Sequence, residues 1–517
     1  MQIIQELYDT LTEKLGYDQN KWNSFKESLN SNLRRQFFEL FEEGNSEREI
    51  ARKLFRADIA VTAHRNTKFE IKTALYTELL KFKPSNYQYN SFQQAYYKAQ
   101  QQLATFKTLR GLGKYSSVMD ISSNLLKRSM TYDFTDITVE VAREMCAFHS
   151  DKTMSSEEIE KFSEILYGYS EILDKENEAE QVWGKMISLR EKDMQMALHT
   201  GEEFIRNNPL PKERVKSYKY YFRYYFIKMY CRELNNDLPS FEKVAQEGYE
   251  HFCSLPYEYH TGKIGFLHNL IDVNLKLKRI DDTIKYIDLA NDVIKKGKSN
   301  WFIYMQLKLK ALLHIGEFTQ ANETYNEMID HKNFDHQPPK HKMRFVLLGS
   351  YVQFLNKIDQ IDAKKPSTQF INKHLNYINK HQEEMEDLKV PSLLIGLLFS
   401  ILNNDFDSLE SKIFNLKEFT SIYLRTSSPN YRSSCFIKLL LLIPLYNYNL
   451  KAIQRHSEPL LKKLSEKPPT VNQDSVHEVI PYEKLWDLML GQLEPPKRKR
   501  NSVYAQSDWI LERKSAS

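Results

Sequence analysis

The sequence predicts an all-α protein, and three observations support that fold class. Only 15 of the 517 residues are glycine, well below the average of roughly 7%, so few positions can adopt the tight turns of β-proteins. Aromatic residues make up 13% of the chain, enough for bulky helix–helix cores. Apolar side chains recur at i, i+3, i+4 and i+7 through nearly every segment, which is the helical period.

The first predicted region is a helical block over residues 1–83. It opens with an amphipathic helix from Met1 to Leu15, whose acidic residues distinguish it from a secretory signal peptide. It ends at the Lys83-Pro84-Ser85-Asn86 sequence, where proline and polar residues are typical of a break between helices.

Residues 44–65 (GNSEREIARKLFRADIAVTAHR) contain the motif with the clearest chemical meaning. Ser46 and Glu49 have the spacing of a capping box, which begins a short helix. A second helix then directs Val61 inward, with His64 and Arg65 after it. This pattern resembles the DNA-binding helix-turn-helix of LuxR-type response regulators.

The resemblance implies that the second helix enters the major groove of DNA. Between residues 46 and 83, nine Lys and Arg outnumber five Asp and Glu, a local charge of +4. An ordinary helical hairpin that opens the repeat region explains the same pattern. The candidate DNA contacts within residues 44–68 are Arg52, Lys53, Arg56, Thr62, Arg65, Asn66 and Lys68.

Residues 84–466 are predicted to form a series of helical hairpins. The clearest copy, Met305–Ile329, has a turn with Gly316 and Phe318, followed by a small residue, Ala321, and an inward Tyr325. It resembles a tetratricopeptide (TPR) repeat, which implies a superhelical solenoid with a concave groove for a partner.

Similar hairpins fit residues 267–294 and 398–419, and a fourth has its turn at Gly113-Lys114-Tyr115. Turn residues Phe241, Ile280 and Phe318 lie 39 and 38 residues apart, longer than the TPR period of about 34 residues. The repeats are therefore described as TPR-like, and an irregular helical bundle remains the alternative.

The segment Ser217–Tyr230 (SYKYYFRYYFIKMY) interleaves aromatic and basic residues. Such a pattern either packs between neighbouring helices or clamps single-stranded nucleic acid by stacking. Tyr221, Tyr225 and Lys228 share one helical stripe and are the candidate partner-binding residues, and Phe222, Phe226 and Tyr230 share another.

Two regions follow the repeats. Residues 467–494 are predicted to cap the helical region, and residues 495–517 to form a basic, flexible tail. The run Lys497-Arg498-Lys499-Arg500 fits a nuclear-localisation or nucleic-acid-binding tail, or a solvated one.

The sequence carries no phosphate-binding loop, dinucleotide fingerprint, HExxH or GxSxG motif. We therefore expect no enzymatic activity and no cofactor. The four cysteines are far apart and contain no CxxC, so neither a zinc site nor a disulfide framework is expected. One polar loop combines acidic and histidine side chains and is either a metal site or an inter-helix loop: Asp330, His331, Asp335, His336 and His341.

The longest apolar runs, Leu393–Leu402 and Cys435–Tyr446, fall short of the roughly 20 residues that a membrane span needs. Both are interpreted as buried core helices. With neither a signal peptide nor a membrane-length apolar run visible in the sequence, the protein is expected to be soluble and cytoplasmic. The formal net charge of +5 is small for this length and does not indicate a protein that coats nucleic acid.

Two functions fit this organisation. The first is a non-catalytic scaffold that binds a protein or peptide in the groove of its repeats. The second is a transcription regulator in which residues 44–68 bind double-stranded DNA and the repeats sense a signal or recruit a partner.

Overall fold

The computed structural model consists of helices joined by turns and irregular segments, and its described part contains no strand. It describes residues 1–14, 16–56, 62–81, 90–190, 192–210, 215–277, 279–381, 388–403, 405, 431–466 and 478–493. By contact density the chain divides into two compact units, Met1–Leu166 and Tyr167–Ser517. The boundary predicted near residue 83 lies inside the first unit.

In its described part, the first unit contains eight α-helices and the beginning of a ninth. They are α1 Gln2–Asp9, α2 Gln19–Ser28, α3 Asn32–Glu42, α4 Glu47–Phe55, α5 Thr62–Leu80, α6 Ser91–Gly111, α7 Tyr115–Thr131 and α8 Thr135–Phe148. The ninth, α9, runs over Ser156–Leu189, and π-helical turns cover Thr10–Lys14 and His149–Thr153.

Helices α1–α5 form what we call the N-terminal bundle, which is organised around one aromatic core. Trp22 lies at its centre, with ring centroids 4.4 Å from Tyr8 and 5.4 Å from Phe38. Ile50 of α4 and Ile71 of α5 are fully buried in the same cluster. Since each buried ring removes a large apolar surface from water, this core fixes how α4 and α5 are presented.

Helices α6, α7 and α8 each pack against the next helix along the chain. Gly113 has φ 69° in the turn between α6 and α7, a conformation that glycine adopts without steric cost. Val118 and Leu125 of α7 are fully buried. The hairpin predicted around Gly113 is therefore confirmed.

The second unit continues as a row of helices. After the remainder of α9 they are α10 Met194–Asn207, α11 Tyr218–Leu234, α12 Leu238–Cys253, α13 His260–Lys276, α14 Ile280–Val293, α15 Ser299–Ile315, α16 Phe318–Ile329, α17 Pro339–Lys357, α18 Thr368–His381, α19 Lys389–Leu402, α20 Tyr431–Leu445, α21 Leu450–Glu466 and α22 Tyr482–Leu490.

These helices pack in series. Each of α10–α13 contacts the next helix along the chain, and α13, α15, α17 and α19 also contact one another in that order. Helices α13, α15, α17 and α19 therefore form one row, which α20 continues, and the even-numbered helices from α12 to α18 cover it. This arrangement confirms the predicted all-α fold of a helical-repeat solenoid.

The clearest predicted hairpin is confirmed in detail. Gly316 ends α15 with φ 95°, and Phe318 begins α16. Ala321 and Tyr325 of α16 are buried, as predicted. Most of the predicted copy at 398–419 lies outside the described residues.

The two longest apolar runs lie largely in α19 and α20. Both helices are buried, and Leu394 and Leu440 are examples of side chains with no exposed surface. Within the described part of the chain, no helix combines the length and the apolar character needed to cross a membrane.

Several helix crossings depend on a glycine that faces an aromatic ring. A Cβ atom at Gly248 of α12 would overlap the ring of Phe266 on α13, and one at Gly349 of α17 would overlap the ring of Tyr325. Because these rings are buried among other side chains, neither can move aside cheaply.

We expect Gly248→Ala to lower the stability of the second unit by about 1–3 kcal/mol, the usual cost of overpacking a core. The measurement is the Tm from thermal unfolding. Gly184→Ala is the matched control, because Gly184 also lies within a helix, α9, and a Cβ there meets no atom within 4 Å. A Gly248→Ala variant as stable as Gly184→Ala would contradict the packing described.

Stability should also depend on pH through His268 of α13. Burial lowers its pKa to about 4, whereas histidine in an unfolded chain titrates near 6.5. The unfolded chain therefore takes up this proton first, so stability is complete above about pH 6.5 and falls as the pH drops below it.

Between pH 7.5 and pH 5, His268 is expected to remove about 2 kcal/mol of stability. The fall in Tm over that range should be smaller in His268→Gln than in the wild type. His199→Gln, at an exposed position on α10, serves as the control and should behave like the wild type. Equal falls in all three proteins would rule out His268 as a source of the pH dependence.

Candidate functional site

The predicted helix-turn-helix begins with a capping box, as the sequence indicated. The backbone N–H of Ser46 donates to Glu49 Oε2 at 2.7 Å, and the N–H of Glu49 donates to Ser46 Oγ at 3.4 Å. These bonds satisfy two amide groups at the start of α4. The helix ends at Arg56, which has a left-handed φ of 49°.

One stripe of buried side chains packs α5 against the rest of the N-terminal bundle. His64, Thr67, Ile71 and Leu75 follow each other at spacings of three and four residues and are all buried. The His64 ring lies 5.6 Å from Phe37, between centroids. Val61, which the sequence predicted to point inward, lies outside the described residues.

The opposite side of α5 and the outer side of α4 are at the surface. Arg52, Lys53 and Arg56 on α4 are exposed, and so are Thr62, Arg65 and Asn66 on α5. Together with the partly exposed Lys68 they are the seven predicted contacts, so the structure places the whole set on the surface of the N-terminal bundle. We call the surface formed by these seven residues the basic face.

Two of these cations already have partners within the bundle. Lys53 Nζ donates to Asn45 Oδ1 at 2.7 Å, and Lys68 Nζ lies 2.6 Å from Glu47 Oε1. Burial would raise the pKa of Glu47, but hydrogen bonds from Lys68 and the Met1 amino group outweigh it and hold that pKa below its usual range. Arg65, in contrast, makes no ion pair with any residue that the structure describes.

The predicted partner-binding residues of the second unit turn towards α12. Tyr221 and Tyr225 are buried, and the Tyr221 ring lies 3.9 Å from the His251 ring, centroid to centroid. Lys228 Nζ donates to Glu247 Oε2 at 3.0 Å. This placement favours core packing over partner contact for that stripe, because the two rings are covered by a neighbouring helix.

The other aromatic stripe of α11 is the more accessible one. Phe222, Arg223 and Phe226 are half-buried and pack beside Trp183 of α9. The ring centroids of Trp183 and Phe226 are 5.9 Å apart, and those of Phe222 and Phe226 are 4.5 Å apart. We call these four residues the Trp183 cluster.

Arg223 lies across the rings of this cluster. Its guanidinium carbon is 5.7 Å from the Trp183 ring centroid and 5.6 Å from that of Phe222, within the range of cation–π attraction. It also donates to Glu180 Oε1 at 3.0 Å. A half-buried surface of Trp, Phe and Arg has the composition of an interface anchor.

Sequence reasoning missed Trp183 because its contact with Phe226 joins positions 43 residues apart. The spacing of Phe222 and Phe226 by four residues was the local signal for their shared stripe. Nothing local distinguishes which of the two aromatic stripes on α11 is covered by α12.

The polar loop considered as a metal site does not gather its side chains. Its His331 packs against Trp301, with centroids 5.2 Å apart, and its Asp335 pairs with Lys342 at 3.3 Å. Across the described part of the chain, no three His, Cys, Asp or Glu side chains come together as a metal ion would require.

Comparisons with protein-family models, with curated proteins and with solved structures gave no match for this chain.

Proposed function

We propose that this protein is a non-catalytic helical-repeat adaptor that binds a protein partner through its second unit. The Trp183 cluster is the observation that carries this proposal. Trp and Arg are enriched among residues that dominate binding energy, and rings already held by neighbours lose little conformational entropy on association.

The surrounding helices support this assignment. Gly265 of α13 faces the rings of Phe222 and Phe226, and a Cβ there would lie 3.2 Å from Phe226. The rings of Phe222 and Phe226 are therefore positioned by α13 before a partner binds. A partner that contributes an apolar side chain and a carboxylate would match the rings and Arg223.

Arg223→Ala and Trp183→Ala are expected to weaken partner binding by about 30-fold, the effect of losing an anchor worth about 2 kcal/mol. The assay is affinity purification of the full chain, followed by titration of the stoichiometric partner it retains. Lys228→Ala is the matched control and should bind as the wild type does.

Each variant is compared with the wild type by thermal unfolding, so that loss of binding is read only from folded protein. A partner retained equally by Arg223→Ala, Trp183→Ala and Lys228→Ala would overturn the assignment of the Trp183 cluster.

A second function is favoured by the basic face. We infer that the N-terminal bundle binds duplex DNA, with the start of α5 in the major groove and the cations of α4 near phosphates. The supporting observation is the exposure of Thr62, Arg65 and Asn66, on a helix whose opposite stripe is firmly docked. The charge of Arg65 is available for this contact because no described acidic residue pairs with it.

Full-length protein is expected to shift a pool of random duplexes of about 30 base pairs at roughly 50 mM salt, where phosphate contacts are strongest. Arg65→Ala should weaken this binding by about tenfold and make it less sensitive to salt. Arg143→Ala, at an exposed position on α8, is the control for loss of one arginine. The absence of any shift at this salt concentration would exclude DNA binding by the bundle.

A further inference from the structure

A groove runs between α1 and α5 on the N-terminal bundle, beside the basic face. Its volume is about 710 Å³, within the range of roughly 300–1,000 Å³ found for small-molecule sites. Residues 1–4 line one side and α5 lines the other, with Glu47 of α4 also in the lining.

The wall formed by α5 is basic. Arg65, Lys68 and Lys72 all line the groove, and their spacings of three and four residues place them on one side of the helix. Glu47 is the single acidic residue among the lining residues, and it already pairs with Lys68. The lining side chains therefore carry more positive than negative charge.

Two apolar residues of the lining are exposed. Ile3 is 49% exposed and Phe69 is 61% exposed, and both face the groove from opposite helices. Lys72 Nζ lies 5.2 Å from the centroid of the Phe69 ring. A cation and an apolar surface are thus presented side by side.

We propose that this groove binds a small amphipathic anion, a molecule with one carboxylate, sulfonate or phosphate and an apolar body. The anionic group would meet Arg65 and Lys72, and the apolar body would cover Phe69 and Ile3. Both matches follow from the charge and polarity of the walls, since a charge-assisted contact needs a cation and burial needs an apolar surface.

The position of Arg65 gives this site a regulatory consequence, which rests on the proposed DNA binding. Arg65 belongs both to the groove and to the basic face, so it cannot contact an anion in the groove and DNA at once. An anion in the groove is therefore a competitor of DNA.

The site is tested without DNA by titrating the full chain with 8-anilinonaphthalene-1-sulfonate, whose fluorescence rises on binding. Laurate, kept below its micelle concentration, should displace the dye. Lys72→Gln and Phe69→Ser are each expected to weaken dye binding about tenfold, the effect of losing a contact worth about 1.4 kcal/mol. Because both side chains are at the surface, these variants should keep the wild-type Tm.

The matched controls are Lys127→Gln on α7 and Ile280→Ser on α14, which remove an exposed lysine and an exposed apolar residue elsewhere. They should leave saturable dye binding unchanged. Dye binding that does not saturate, or that is equally strong in Lys72→Gln, Phe69→Ser and the controls, would overturn the site.

The competition is tested separately by mobility shift. Laurate should release DNA from the wild type but much less from Lys72→Gln, which lacks a groove cation that is not among the proposed DNA contacts. A saturated groove with undiminished DNA binding would overturn the competition while leaving the anion site intact. Anion binding in a protein that never shifts DNA would instead refute the proposed DNA function.

Discussion

Close approach of helices at glycine–aromatic crossings is the constraint on which the second unit depends. Gly248 faces Phe266, Gly262 faces Phe252 and Gly349 faces Tyr325. A glycine within a helix costs about 0.5–1 kcal/mol relative to alanine, whereas full burial of one large apolar side chain contributes about 1.5–3 kcal/mol. Wherever a glycine leaves room for an aromatic ring, the free energy gained by burying the ring exceeds the cost of the glycine. This explains why some of the few glycines lie inside helices.

Such close packing leaves the row of α13, α15, α17, α19 and α20 little contact with water, so polar side chains in that row need partners. Asp272 of α13 is held by Lys276 at 2.8 Å and by Lys310 of α15 at 3.1 Å. Burial would raise the pKa of Asp272, but the two lysines outweigh it and keep that pKa well below its usual range. The ion pair between Asp272 and Lys310 links α13 to α15. Arg432 of α20 is likewise held by Glu478 and Glu483.

The basic face of the N-terminal bundle differs from this row in the exposure and pairing of its cation Arg65. Cations in the repeat row are neutralised because they are enclosed, whereas Arg65 lies at the surface without an acidic partner among the described residues. A surface cation loses nothing by remaining hydrated, so its exposure alone has no structural cost. Its position beside Thr62 and Asn66 therefore reflects which stripe of α5 the aromatic core has covered.

The sequence predicted those features that depend on neighbouring positions. The capping box at Ser46, the turn at Gly316 and the buried Ala321 each follow from residues within one or two helical turns. The Trp183 cluster and the burial of Tyr221 could not be predicted in the same way. Both depend on which helix covers each side of α11, and helical periodicity repeats equally for both aromatic stripes.

The ion pair between Glu47 and Lys68 links the basic face to the groove. A DNA phosphate and an anion in the groove would each have to draw Lys68 away from Glu47, at the cost of a partly buried pair at 2.6 Å. Arg65 carries no such cost, so either proposed ligand would engage Arg65 first and Lys68 second. Because the Glu47 carboxylate would oppose both ligands equally, it would not distinguish between them. Under the two proposals, Lys72 and Phe69 would be reached only by an anion in the groove, and Thr62 and Asn66 only by DNA.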